Sequence, residues 1–219
     1  MKPLGILMLD TRFPRIEGDI GNARSFDFPV IFRTMRGIGS VDAVAAHPDR
    51  PRVLAALKSN AEALAAEGAV GLSTSCGFLA LYQKDLEQLS PVPVATSALL
   101  LIKTLTGRKV GVITASAENL TPVHFEAVGA PRDTPVAGMP SGSSFAATFL
   151  RNGTTLDRAA VEREAVEAGQ TLLRRHPDID AIVLECTNLP PYKSALEHAL
   201  GVPVFDVLDL LRDFRKALG

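Results

Sequence analysis

Val70-Gly71-Leu72-Ser73-Thr74-Ser75-Cys76 is a short apolar run that ends on a cysteine, and Ile182-Val183-Leu184-Glu185-Cys186 is a second. The two cysteines stand 110 positions apart. At the same offset Val92-Pro93-Val94 meets Val202-Pro203-Val204, Tyr82 meets Tyr192, Leu79 meets Leu189, and Leu100-Leu101 meets Leu210-Leu211. Further upstream, Gly5-Ile6-Leu7 matches Gly111-Val112-Ile113 at an offset of 106. A cysteine, a tyrosine and a Val-Pro-Val triplet at one common offset mark an internal repeat. Each half reads strand, helix, strand ending in Cys, helix, strand, helix.

The runs Gly5–Leu9, Val41–Ala46, Ala69–Ser73, Val92–Ala95, Val110–Thr114, Ala181–Leu184 and Val202–Phe205 read as strands. Most lack strict alternation, as expected where helices cover both faces of a parallel sheet. Between them, Leu54, Leu57, Ala61 and Leu64 fall at helical spacing, as do Val161, Ala165, Ala168 and Leu172. The expected fold is therefore α/β. It has two pseudo-symmetric lobes, each with a short parallel sheet flanked by helices, and an active site in the cleft between them. The lobes divide near Ala98–Gly107. Residues 1–98 and 206–219 form the first lobe, carrying Cys76; residues 99–205 form the second, carrying Cys186. The last helix, Asp206–Leu218, is expected to pack back on the first lobe. Thr11–Arg24, with Pro14, Gly18, Asp19, Gly21 and Asn22, and Gly129–Ser144, rich in Gly, Pro and Ser, read as long loops, and loops of that length often cover active sites.

The 219 residues are 47% hydrophobic and 21% charged, which excludes a disordered chain. With 23 Lys and Arg against 24 Asp and Glu, no basic face is advertised, so neither nucleic acid nor a membrane surface is an expected partner. The absence of Trp and the 5% aromatic content argue against a stacking platform for bases. No run of 18 apolar residues exists to span a bilayer, and the apolar start is too short for a signal peptide. The two cysteines are too few for a disulfide scaffold. A cytoplasmic setting with reduced thiols is the expectation.

Both cysteines follow a buried strand and precede a helix, at the carboxyl edge of a parallel sheet, where ligands bind. A helix N-terminus favours a thiolate, and its free N–H groups accept a carboxylate. Two such sulfurs facing one another suit a single chemistry. One thiolate removes the proton next to a carboxylate and the opposite thiol returns it on the other face, with no cofactor. Ser75, Gly77, Thr187 and Asn188 stand where donors to the carboxylate are needed. A lone buried Cys is usually a small hydrophobe, but two at equivalent strand ends among Ser, Thr and Asn fit that reading badly. No CxxC pair exists and His47, His124, His176 and His198 are scattered, so no metal is expected. No lysine stands out as a Schiff-base candidate, so pyridoxal phosphate is not called for either.

Other residues have two readings. Asp10 orients a Cys, binds a substrate ammonium group or caps the following loop. Asn22 faces substrate or serves its turn. Thr114 and Ser116, at the counterpart of the Asp10 position, donate to a carboxylate, or Ser116 caps the next helix. Glu185 tunes the neighbouring sulfur or points to a lobe interface. His124 reads as structural.

The segments Ser73-Thr74-Ser75-Cys76-Gly77-Phe78 and Leu184-Glu185-Cys186-Thr187-Asn188-Leu189-Pro190-Pro191-Tyr192 resemble the aspartate/glutamate/hydantoin racemase superfamily. That resemblance implies two lobes around a cleft, cofactor-independent racemisation with Cys76 and Cys186 as the acid–base pair, an acidic residue at Asp10, and association as a dimer. Glutamate racemases carry Asn-Thr after the first Cys, where this chain has Gly77-Phe78, and a His where it has Asn188. Cys186-Thr187-Asn188-Leu189 is similar also to maleate cis–trans isomerases, in which one Cys adds to the double bond. The arylmalonate decarboxylases of the superfamily normally keep one cysteine. The expected function is an amino-acid racemase of the aspartate/glutamate type acting on a small carboxylate. The alternatives are a maleate-type isomerase with covalent addition by Cys76, and a carboxylate-binding protein without turnover.

Overall fold

In the computed structural model, which describes residues 1–219, the longest apolar runs become the inner strands of two sheets. The first holds β1 (Leu4–Leu9), β2 (Val30–Met35), β3 (Leu72–Thr74) and β4 (Val94–Ala95), in the order β2-β1-β3-β4. The second holds β5 (Val110–Thr114), β6 (Val136–Gly138), β7 (Ala181–Leu184) and β8 (Val204–Phe205), in the order β6-β5-β7-β8. Every pairing is parallel. The two topologies are the same, and the repeat extends to single bonds. Ser75 N donates to Leu7 O, and Glu185 N donates to Ile113 O, each at 2.9 Å. All residues of β1 and β7 are buried, which explains their unbroken apolar character.

Helices cover the sheets: α1 (Ser40–Ala43), α2 (Arg50–Ala66), α3 (Gln83–Leu89), α4 (Pro122–Ala127), α5 (Arg158–Arg175), α6 (Lys193–Leu200) and α7 (Val207–Ala217). Capping starts the two longest. The Asp49 side chain accepts from Arg52 N ahead of α2, and Asp157 accepts from Ala160 N ahead of α5. Leu57, Ala61 and Leu64 of α2 are buried, as are Val161, Ala165, Ala168 and Leu172 of α5. Leu54 is only half-buried, and Val53 takes its expected core place.

Two strand expectations change. Val41–Ala46 is not a strand. The Asp42 carboxylate accepts from Gly39 N at 2.8 Å and closes the short helix α1 instead. The strand of that region is β2, an edge strand whose residues are mostly half-buried. Likewise the stretch read as one irregular loop, Gly129–Ser144, contains the edge strand β6.

The connections after β4 and β8 cross over. A 3₁₀ segment, Ala98–Thr104, leaves the first sheet and packs beneath β7 of the second. Helix α7 leaves the second sheet and packs along β4 of the first, with Phe214 and Leu218 pressed on Gly71. A single cluster of 57 buried residues runs through both halves, so the lobes share one core. No helix is long and apolar enough to cross a membrane.

Candidate active site

Each cysteine sits two residues past the end of an inner strand, ahead of a 3₁₀ segment. Leu79 N donates to Cys76 O and Leu189 N to Cys186 O, both at 3.1 Å. Both thiols are free, buried and in the lining of one narrow cavity of about 20 Å³, room for roughly one water. Ser75, Gly77, Glu185, Thr187 and Asn188 line it with them. The rings of Phe13, Phe78 and Phe149 supply much of the remaining wall. Phe13 and Phe149 meet edge-on at 4.9 Å between ring centres, and Arg15 stacks over Phe13 at 4.3 Å.

The polar residues near the sulfurs do two kinds of work. Ser75 ties strands and lobes together. Its Oγ accepts from Leu9 N at 2.9 Å, and its carbonyl accepts from Thr187 Oγ1 at 2.7 Å. Asn188 joins Cys186 to the first lobe. Its Nδ2 donates to Asp19 Oδ2 at 2.7 Å, which leaves Oδ1 to accept from the Cys186 thiol at 3.7 Å. An ionised carboxylate only accepts, so this amide orientation is fixed by Asp19. Asp19 is in turn held by Arg15 Nη1 at 2.9 Å and Gly21 N at 2.7 Å. The chain Arg15–Asp19–Asn188–Cys186 thus anchors the Thr11–Arg24 loop to the site.

Thr114, Asp10, Asn22 and Ser116 lie outside the cavity lining. Thr114 is fully buried and donates through Oγ1 to Glu185 Oε2 at 2.6 Å. Asp10 accepts from Gly37 N at 3.0 Å and pairs with Arg36. The Asn22 side chain caps a short 3₁₀ turn through Arg24 N and donates to Arg15 O. Ser116 begins the turn before α4, its carbonyl accepting from Leu120 N. His124 is buried, its ring edge-on to Phe78 at 5.3 Å, and burial lowers its pKa.

The thiols rest protonated. Burial pushes Cys76 up to about 12, Glu185 adds to this where it is ionised, and the N–H groups of Phe78 and Leu79 with Arg15 offset only part. Cys186 is pushed well above its ordinary value by burial, then by Glu185. The helix-terminus effect expected to favour a thiolate is thus outweighed by desolvation. Glu185 is itself fully buried, and burial raises its carboxyl to about 8 despite the Thr114 hydrogen bond.

Asp19 was not among the expected site residues. Its loop was marked by Gly18 and Gly21, but its partner Asn188 is 169 positions away. Phe13, Phe78 and Phe149 were missed because a phenyl ring in sequence reads as core.

Comparison with known proteins adds a second layer. Residues 94–212 match the Asp/Glu/Hydantoin racemase family. The chain is 30% identical over 217 residues to the dimethylsulfoniopropionate lyase of Durusdinium sp. clade D, covering 94% of this chain and 71% of that protein. It is 30% identical over 222 residues to dimethylsulfoniopropionate lyase 5 of Emiliania huxleyi (strain CCMP1516), covering 95% of this chain but only 44% of that longer protein. Its fold is similar to unliganded arylmalonate decarboxylase, with a TM-score of 0.63 at 20% identity, over 99% of this chain and 93% of that one.

Proposed function

The chain belongs to the Asp/Glu/hydantoin racemase family, a family of enzymes, and from that premise we propose that it is a lyase acting on dimethylsulfoniopropionate or a close β-sulfonium carboxylate. The observation that carries the reading is the meeting of Cys76 and Cys186 in one narrow cavity lined also by Phe13, Phe78 and Phe149. A sulfonium group carries a permanent charge and no N–H donors. It is suited to ring faces, as quaternary ammonium groups are. An amino-acid ammonium group needs an ionised acceptor instead; Asp10 lies away from the cavity, and Glu185, the carboxyl that does line it, is kept neutral by burial. The likeness to named lyases along most of this chain supports the same choice.

The chemistry follows from the buried thiols. A cation entering the cavity favours the thiolate that burial disfavours, so the substrate helps to ionise its own base. The thiol proton leaves to solvent. The thiolate, strongly basic because it is desolvated, takes the proton on the carbon next to the carboxylate. The electron pair passes into the carboxylate and returns as a carbon–carbon double bond. The carbon–sulfur bond breaks, dimethyl sulfide departs with its pair, and acrylate remains. The thiol releases its proton and the cycle restarts. The reading includes a reducing, cytoplasmic setting, supported by two free thiols.

A two-base amino-acid racemase is the second reading, favoured by one observation: each lobe brings its own thiol to the cavity. Headspace detection of dimethyl sulfide, with proton NMR in D₂O of pooled amino acids and maleate, separates the two. The lyase reading expects sulfide and acrylate from dimethylsulfoniopropionate. One of Cys76→Ser and Cys186→Ser then loses activity by at least ~10³-fold, while the other keeps more. Loss of an α-proton signal from one amino acid, abolished in both variants, with no sulfide released, replaces it with the racemase. Isomerised maleate points to the isomerase, and binding without turnover to a carboxylate-binding protein.

A further inference from the structure

Glu185 is fully buried between the two lobes, and the mechanism above leaves it without a task. Its Oε2 accepts from Thr114 at 2.6 Å. Its Oε1 is buried with no hydrogen-bond partner. Space for this carboxyl comes from the other lobe. A Cβ on Gly77 would stand 2.3 Å from Glu185 Oε1 and 2.2 Å from its carbonyl oxygen. Glycine directly after Cys76 is therefore what lets Glu185 reach the cavity lined by both sulfurs.

We propose that Glu185 donates a hydrogen bond from Oε1 to the substrate carboxylate, stabilising the charge that builds there when the α-proton is removed. The proposal rests on the α-proton abstraction just described. Thr114 Oγ1 donates to Oε2, so the acid proton belongs on Oε1, the oxygen without a partner. No arginine or lysine lines the cavity to hold a carboxylate, so neutral donors must do so, and among the polar side chains that line it Glu185 is the one with a buried oxygen left without a partner. The groups facing it are consistent with a neutral acid. Cys76 faces it from the first lobe and Cys186 from its own segment, both thiols, with Thr114 from β5. Arg15 and Asp19 neutralise each other behind Asn188, and His124 stands uncharged behind Phe78. Burial alone keeps the proton on at neutral pH. Donors aimed at developing charge inside a dry site gain their value in the transition state.

Two variants separate this role from lobe packing. Glu185→Leu fills the space and removes the donor; kcat for sulfide release falls by ~10²–10³-fold, with a much smaller change in KM. Glu185→Gln keeps a donor of the same shape and recovers all but ~10-fold of that loss. Wild-type kcat/KM declines as pH rises through about 8, where Glu185 ionises, and this limb is absent in Glu185→Gln. A Glu185→Gln variant that folds but is as slow as Glu185→Leu, or one that keeps the limb, overturns the assignment. Infrared difference spectra give a readout independent of turnover, with propionate as the probe. A protonated-carboxyl stretch at pH 7, missing in Glu185→Gln and shifted when propionate binds, supports the assignment even if no sulfide is ever formed. No such band, in an enzyme that does release sulfide, refutes Glu185 and leaves the lyase reading standing.

Discussion

At Gly77 the absence of a side chain decides what the neighbouring lobe can bring. The 2.2 Å approach of Glu185 O to a would-be Cβ is to backbone, which cannot swing aside. Gly77→Ala is therefore expected to cost roughly 1–3 kcal/mol through overpacking, read as a lower urea midpoint with unchanged slope. Glu185 also gives stability a pH dependence of its own. Its folded pKa of about 8 lies above the ordinary 4.5, so the folded state holds the proton more tightly. The contribution is complete below about 4.5 and is lost as pH rises through about 8. The melting temperature of the wild type should fall across that window, and that of Glu185→Gln should fall less. Little of this was legible in the residues alone. Cys76 and Cys186 announced themselves by the shared offset, but the neutral state of their thiols depends on burial, which no local pattern reports. Glu185 was open to two readings until Gly77 and Thr114 were seen beside it.

Among the elements, the inner strands and the edge strands β4 and β8 were legible, and the edge strands β2 and β6 were not. β1, β3, β5 and β7 are buried on both faces and read as apolar runs, whereas β2 and β6 are half-buried and blend into loop sequence. The loops over the site were legible as loops, and their contacts were not. Ser40 Oγ donates to Phe149 O at 2.9 Å, and Arg12 N donates to Asn152 Oδ1 at 2.7 Å, joining covers from the two lobes. A substrate larger than a water needs the cavity to widen, and Ser40 and Phe149 both line it. Ser40→Ala removes one hydrogen bond worth about 1 kcal/mol, so labelling of the native thiols by iodoacetamide should quicken by ~2–10-fold. An unchanged labelling rate would show that this contact does not hold the cover shut. Asp19→Ala deprives Arg15 and Asn188 of their shared partner and should cost roughly 2 kcal/mol, visible in chemical denaturation.

For the molecule as a whole, the crossover of Ala98–Thr104 and α7 matters more than the sheets' likeness. Each half gives its closing segment to the other. Fragments 1–106 and 107–219, expressed apart, should each fail to show a cooperative unfolding transition, and should regain one when mixed. Independent folding of either fragment would contradict this. The longest-range pairs, such as Thr187 with Ser75 and Asn188 with Asp19, then form only once the halves have docked. In the terms used for oligomers, the molecule is a pseudo-dimer with a reciprocal swap of its terminal segments, and the cleft is its near-isologous interface. The tether between the halves fixes the stoichiometry at one thiol from each, at an effective concentration that no encounter of separate subunits has to supply. It also frees the two copies to diverge. One places Glu185 before its cysteine and the other Ser75, so a site built from two like halves holds one carboxyl and treats the two ends of its substrate differently.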